Sequence, residues 1–213
     1  QASYLVGYVA GKTTKSNTVG LVIGMSTDTM NEFGYGYLAG VKDANPDANI
    51  LQNNVNSFAD TGAGKTAANN MVANNADVIF HAAGGTGLGV IDAAKEAGIW
   101  AIGVDSDQES TFSPDLAAIT LTSGLKNVGN SLIWVFDEWD AGREHWGTEV
   151  TLGLKENGVG VVTDKNFAKY ASQATKDKVN EAIQAILDGK VEVPTALGNT
   201  SKDLETLREK VRP

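Results

Sequence analysis

Residues 77–105, DVIFHAAGGTGLGVIDAAKEAGIWAIGVD, contain the pattern that decides the fold. The apolar run at 77–80 predicts a buried strand, and the run at 99–104 predicts a second one. Between them lie a glycine-rich turn and a helical segment at 90–96, followed by Gly98, a residue suited to closing a helix. Two buried strands without polar alternation, joined by a helix, are typical of a parallel β–α–β unit.

The same alternation extends towards the N-terminus. Apolar runs at 19–24 and 50–51 predict two more buried strands, and Met30, Phe33 and Tyr37 share one face of the helix between them. The fold class is therefore α/β, with a doubly wound parallel sheet covered by helices on both faces. We assign residues 18–108 to this lobe.

The rest of the chain is divided into residues 1–17, 109–147 and 148–213. The elements predicted there are a helix at 2–12, a strand at 117–122, a helix at 125–140, a β-hairpin or pair of strands formed by 150–154 and 159–162, a helix through 179–187 and a helix at 201–211. The 148–213 segment is expected to complete the lobe.

Composition excludes several classes of function. The 213 residues include no cysteine, which rules out a disulfide framework, a thiolate zinc site and a cysteine nucleophile. The two histidines, His81 and His145, are far apart and offer little for a metal site. A formal net charge of −9 argues against nucleic acid as a partner. No catalytic motif is recognisable, so we predict no enzyme activity and no cofactor.

Residues 62–66, Gly-Ala-Gly-Lys-Thr, resemble a phosphate-binding P-loop only in part. The motif requires a glycine five places before Gly64, and that position is Ala59. We therefore predict an ordinary helix start, capped by Asp60 or Thr61.

Four other residues follow predicted strands, where ligands bind in open α/β sheets. Gly84 opens the glycine-rich run 84–89, which suits either close ligand approach or a tight turn. Asp105 either accepts hydrogen bonds from a ligand or caps the next turn. Phe58 either stacks on a flat ligand or folds onto the core. Lys126, between a strand and a helix, carries no signal of its own.

Seven segments, in this order, resemble the basic membrane protein family of ABC-transporter substrate-binding lipoproteins, the purine nucleoside receptor A-like group. They are Gln1–Gly7, Phe33 with Gly36–Gly40, Ser57–Asp60 with Gly64 and Lys65, His81–Gly87, Gly103–Gln108, Thr122–Lys126 and Leu152–Gly160. Together they cover nearly the whole chain.

The resemblance implies a type I periplasmic-binding fold that captures a nucleoside, mostly purine, between two lobes. In this chain Phe58 would stack on the base, Gly84 would border the pocket, Asp105 would accept hydrogen bonds from ribose hydroxyls, and Lys126 would donate to the ligand. The implied partners are the nucleoside and an ABC-transporter permease. The implied location is extracytoplasmic, with a lipid anchor on the full-length form.

The chain departs from the family pattern because most of the first lobe, with its lipobox cysteine, is not in the sequence. We expect this form to bind nucleoside weakly or not at all unless it self-associates. Residues 1–17 and 109–147 would belong with the first lobe, so helices 2–12 and 125–140 are expected to expose apolar faces that favour self-association. The alternative function is a small α/β nucleotide-binding domain or enzyme that uses the 84–89 loop.

Overall fold

The computed structural model describes residues 1–196 and the positions 202, 203, 206 and 209. Most of the helix predicted at 201–211 therefore lies outside the described residues. Within the described part of the chain, no helix combines the length and the apolar character needed to cross a membrane.

The described residues form six strands and nine helices. The strands are β1 (Thr18–Ile23), β2 (Asn49–Asn54), β3 (Val78–Ala82), β4 (Trp100–Asp105), β5 (Thr120–Lys126) and β6 (Val159–Val161). The helices are α1 (Ala2–Thr13), α2 (Asp28–Ala44), α3 (Thr61–Ala73), α4 (Thr86–Ala97), α5 (Gln108–Thr111), α6 (Pro114–Ala117), α7 (Val128–Asp140), α8 (Lys165–Tyr170) and α9 (Gln173–Leu187).

The strands form one sheet in the order β2–β1–β3–β4–β5–β6. β1 to β5 are parallel, and β6 pairs antiparallel with β5 at the edge. β1 and β3 are neighbours in the sheet although β2 lies between them in sequence. From β1 the chain first adds β2 on one side and then adds β3, β4 and β5 on the other, so the direction of strand order reverses between β1 and β3. This confirms the predicted doubly wound α/β fold.

Alternating strand residues face opposite layers of helices. Leu21 and Phe80 belong to one buried cluster that also contains residues of α1 and α2. Val22 and Ile79 belong to a second cluster with residues of α3 and α4. Because both faces of the central strands are covered, these strands are mainly apolar and do not alternate with polar residues along their length.

Two of the predicted elements beyond the central strands are corrected. The strand predicted at 117–122 begins only at Thr120 and continues to Lys126, since Pro114–Ala117 forms the short helix α6. The predicted hairpin is wrong: residues 150–154 form no strand, and β6 pairs with β5 instead. The backbone N–H of Leu154 donates to the Gln1 side-chain oxygen (2.8 Å) instead of entering a strand ladder.

The expected exposed face of helix 2–12 is also wrong, because α1 is buried. Tyr4, Leu5 and Val9 are almost fully inaccessible. Glycines let α1 lie directly on the backbone of α2: a Cβ at Gly40 would lie 1.9 Å from the Tyr4 carbonyl oxygen, and one at Gly7 would lie 2.4 Å from the Tyr37 carbonyl oxygen. The two helices can approach this closely only because these positions are glycine; any side chain there would collide with the backbone of the other helix.

The apolar face expected to be exposed on the helix predicted at 125–140 is confirmed. This helix is α7, and it begins at Val128 instead of 125. No residue of α7 is buried by the part of the chain that the structure describes. We call its exposed apolar side chains the α7 face; they are Val128, Leu132, Ile133, Val135, Phe136 and Trp139.

We predict that Gly40→Ala lowers the free energy of unfolding by about 1–3 kcal/mol, because the added methyl group collides with the α1 backbone. The matched control is Gly129→Ala in α7, where a Cβ meets nothing within 4 Å. That change is expected to stabilise the chain by up to about 1 kcal/mol through helix propensity. Urea unfolding of the three proteins measures both effects, and equal changes at the two positions would contradict the α1–α2 packing.

Candidate functional site

The four predicted site residues lie at one edge of the sheet. β1 to β5 are parallel, so their carboxyl ends meet at the same edge. Phe58 follows β2, Gly84 follows β3, and Asp105 and Lys126 are the last residues of β4 and β5. Ligands of open α/β sheets bind at this edge, close to the point where the strand order reverses.

The loop that carries Phe58 is tied to the loops on both sides. The Ser57 N–H donates to the Gly24 carbonyl after β1 (2.7 Å). The Phe58 carbonyl accepts from the Thr86 N–H at the start of α4 (3.2 Å), and the Thr86 hydroxyl donates to the Ser57 carbonyl (3.0 Å). These bonds hold the β2–α3 loop across the carboxyl ends of β1 and β3.

The Phe58 ring lies against two glycines. A Cβ at Gly24 would lie 2.3 Å from the ring atom Cδ1, so the ring occupies the space of a side chain. Gly84 has a φ of +55°, and a Cβ there would lie 3.2 Å from the Phe58 carbonyl oxygen. The side chain remains 41% exposed, which leaves ring surface available for stacking. The structure thus brings Phe58 and Gly84 together.

The other two predicted residues form an ion pair. The Lys126 Nζ lies 3.0 Å from Asp105 Oδ1, and both side chains are about half exposed (56% and 50%). Asp105 has a φ of +67°, in the left-handed region that few residues other than glycine, asparagine and aspartate adopt readily. The pair presents a carboxylate acceptor and an ammonium donor side by side at the edge.

Asp107, a second carboxylate just beyond the end of β4, does not share this site. It accepts from the Ser110 hydroxyl (2.7 Å) and pairs with Lys165 of α8. Its contacts tie α5 to α8.

A buried histidine, His81, is linked through Gln108 to Val104, the residue before Asp105. His81 of β3 is 1% exposed, and its Nε2 lies 3.0 Å from the Gln108 Oε1. Burial lowers the pKa of His81 to about 4, against the opposing effects of the Gln108 hydrogen bond and the charge of Asp105. The imidazole is therefore neutral at physiological pH. Sequence reasoning gave neither His81 nor Gln108 a role.

The P-loop-like segment is a helix start, as predicted. The Asp60 side chain accepts from the Ala63 N–H (2.9 Å) and caps α3. The Lys65 ammonium donates to Asp92 (2.7 Å) and Glu96 (2.8 Å) of α4 and so has surface carboxylates as partners.

The glycine-rich run at 84–89 offers few free donors. The N–H groups of Thr86, Gly87 and Leu88 donate to the carbonyls of Phe58, Gly84 and Gly85, at 3.2, 3.0 and 3.1 Å. An anion at a helix N-terminus needs such groups unpaired. No group of three or more side chains suited to holding a metal ion occurs among the residues described.

A separate cavity of about 520 Å³ lies beside the α7 face and contains none of the four predicted site residues. Eight of its thirteen lining residues are apolar, among them Trp134, Trp139 and Trp146. This cavity therefore belongs to the α7 surface and is not part of the site at the edge of the sheet.

We predict that stability falls as the pH is lowered from about 6.5 towards 4. In this range the unfolded chain binds a proton on His81 that the folded chain, with its lowered pKa, does not bind. The resulting loss is up to about 3 kcal/mol. Urea unfolding at a series of pH values, compared between the wild type and His81→Gln, isolates this contribution from that of the carboxylates. Parallel pH profiles for the two proteins would refute it.

Comparison with known proteins connects this geometry to a family. Residues 1–196 match the family model Bmp, described as ABC transporter substrate-binding protein PnrA-like. A protein of Listeria monocytogenes, "CD4+ T-cell-stimulating antigen", is 39% identical over 90% of this chain and 56% of its own length. The "ABC transporter nucleoside-binding protein BmpA" of Lactococcus lactis is 35% identical over 92% of this chain and 58% of its own length. The chain thus spans little more than half of these relatives.

Solved structures agree on the fold. A solute-binding protein of an ABC transporter system from Aeropyrum pernix superposes with a TM-score of 0.80 at 25% identity, over 99% of this chain and 68% of its own. One from Conexibacter woesei superposes with a TM-score of 0.75 at 22% identity, over 92% of this chain and 63% of its own. The chain belongs to the Bmp family of PnrA-like ABC transporter substrate-binding proteins.

Proposed function

We propose that this chain contributes the nucleoside-binding edge of an extracytoplasmic receptor that delivers its ligand to an ABC-transporter permease, and that it catalyses no reaction itself. The observation that carries the proposal is that an exposed aromatic ring and a carboxylate–ammonium pair both lie at the carboxyl edge of one parallel sheet. The Lactococcus relative, whose name includes nucleoside binding, supports the ligand class.

Each residue has a role that follows from its contacts. The exposed face of Phe58 stacks on the purine, because base and aromatic ring are both flat and polarisable. Asp105 accepts hydrogen bonds from the ribose hydroxyls, and Lys126 donates to a ligand oxygen. Gly84, without a side chain, leaves the ligand room to approach the Phe58 loop.

The nucleotide-binding or enzymatic alternative has less support. A phosphate needs unpaired donors, yet the N–H groups of Thr86, Gly87 and Leu88 already donate to backbone carbonyls. Asp105 would also repel a phosphate placed near it. The described edge therefore suits a neutral nucleoside better than a nucleotide.

The greater length of the relatives bears on the exposed α7 face. The relatives are longer than the matched region, and we infer that in proteins of their length the α7 face packs against another lobe, which supplies further ligand contacts. A lipid anchor on such a protein would hold the receptor at the membrane beside its permease.

The first test is an NMR chemical-shift titration of this chain with inosine. One stacking ring and one charged pair are expected to give a dissociation constant on the order of 1 mM, corresponding to about 4 kcal/mol. Asp105→Asn is expected to weaken binding about tenfold, through loss of the charged acceptor. The matched control is Asp115→Asn, because Asp115 is also exposed and paired with a lysine, Lys95, at 2.9 Å.

Two results would contradict this function. One is the absence of any shift change at the edge up to the solubility limit of inosine. The other is an equal loss of affinity in Asp105→Asn and Asp115→Asn, which would show that the carboxylate at the edge has no special part. Adenosine 5′-monophosphate is titrated alongside and is expected to bind more weakly than inosine.

We predict that this chain self-associates in a concentration-dependent manner, because the α7 face exposes apolar side chains to water. Leu132 is 61% exposed on that face, and Leu132→Glu is expected to shift the chain towards monomer by placing a charge in the apolar contact. Leu187→Glu, on an exposed leucine of α9, is the control and is expected to associate like the wild type. Sedimentation velocity over a concentration series measures both. A wild type that stays monomeric throughout would refute the prediction.

A further inference from the structure

The pairing between β3 and β4 stops before the carboxyl ends of these two strands, close to the candidate site. β3 pairs with β1 up to Ala82, but its pairing with β4 ends at Phe80 and Ile102. Beyond this point β4 continues for three residues to Asp105. The carboxyl ends of β3 and β4 are therefore not joined by their own backbone hydrogen bonds.

The Gln108 side chain bridges this gap. Its Oε1 accepts from the backbone N–H of Val104 in β4 (3.1 Å) and lies 3.0 Å from Nε2 of His81 in β3. A backbone N–H can only donate, so the amide oxygen must face Val104. The same oxygen faces His81, which requires the neutral imidazole to carry its proton on Nε2.

Gln108 also reaches the next strand. Its own backbone N–H donates to the hydroxyl oxygen of Ser123 in β5 (3.2 Å), and Ser123 is fully buried. One residue thus connects β3, β4 and β5 directly behind Asp105. Asp105 has a left-handed backbone, which aspartate tolerates better than most residues but which is still less favourable than an extended one, so contacts that fix the end of β4 help to maintain it.

We propose that Gln108, supported by His81, is a positioning residue for the ligand. It fixes the end of β4 so that the Asp105 carboxylate is held at the edge beside Lys126, in the place where the ligand hydroxyls bind. Gln108 itself does not touch the ligand. The proposal rests on the proposed function for the identity of that ligand and on the hydrogen bonds above for the positioning.

A ligand-free measurement tests the positioning by itself. Amide hydrogen exchange followed by NMR is expected to be at least tenfold faster at Val104 and Asp105 in Gln108→Leu than in the wild type. Val22, in the centre of the sheet, serves as the internal control for global unfolding. Gln108→Glu keeps an acceptor oxygen of the same reach and is expected to restore slow exchange at Val104. Unchanged exchange at Val104 and Asp105 in Gln108→Leu would overturn the proposal.

A double-mutant cycle with inosine tests whether Gln108 acts through Asp105. Gln108→Leu is expected to weaken binding about tenfold in the wild type and to have no further effect when Asp105 is already asparagine. Losses that multiply in the double variant, or no loss in Gln108→Leu, would overturn the proposal. If the wild type fails to bind inosine, the proposed function fails, and the exchange experiment alone decides whether Gln108 positions the β4 end.

Discussion

The parallel register of β1 to β5 is the constraint on which the rest of the structure depends. It brings the carboxyl ends of five strands to one edge, so that residues far apart in sequence become neighbours. Phe58 then meets Gly24 and Gly84, while Asp105 meets Lys126 on the adjacent strand. The helices that cover the two faces of the sheet leave this edge as the place where loops, and hence ligand contacts, collect.

The Asp105–Lys126 ion pair is exposed, and this bears on the ligand-binding role that we propose for it. An exposed ion pair of this kind contributes little to the stability of a fold. In the proposed function, Asp105 and Lys126 would therefore give up their contact with each other and bind ligand hydroxyls and oxygens at little cost to the stability of the fold. By contrast, Gln108, three residues after Asp105, makes hydrogen bonds to residues of β3, β4 and β5. In the proposed function, the ion pair is the contact that opens for the ligand, and the Gln108 bridge is the contact that stays in place.

The sequence predicted the central elements because their signals are local. Apolar runs such as 77–80 and a closing glycine such as Gly98 identify strands and helices without knowledge of their neighbours. The burial of α1 was missed because it depends on glycines about thirty residues apart, Gly7 and Gly40, which allow two backbones to touch. The hairpin was wrong for a similar reason, since the Leu154 N–H is bound by Gln1 at the other end of the sequence.

Within the site, the same limit applies. The edge positions of Phe58, Gly84, Asp105 and Lys126 follow from the ends of predicted strands, but their pairing requires the strand order. The bridge made by Gln108 requires knowing where the β3–β4 ladder stops, and no pattern in the sequence marks that point.

The crowding of aromatic residues around α7 has an optical consequence. Three of the four tryptophans of the chain, Trp134, Trp139 and Trp146, line the α7 cavity, and the Trp134 ring lies 5.0 Å from that of His145. The fourth, Trp100, packs beside Tyr170, at the amino end of β4. The intrinsic fluorescence of this protein therefore originates mostly from tryptophans beside the α7 face and not from the carboxyl edge of the sheet. The wavelength of its emission maximum is therefore sensitive to whether water or another apolar surface covers α7.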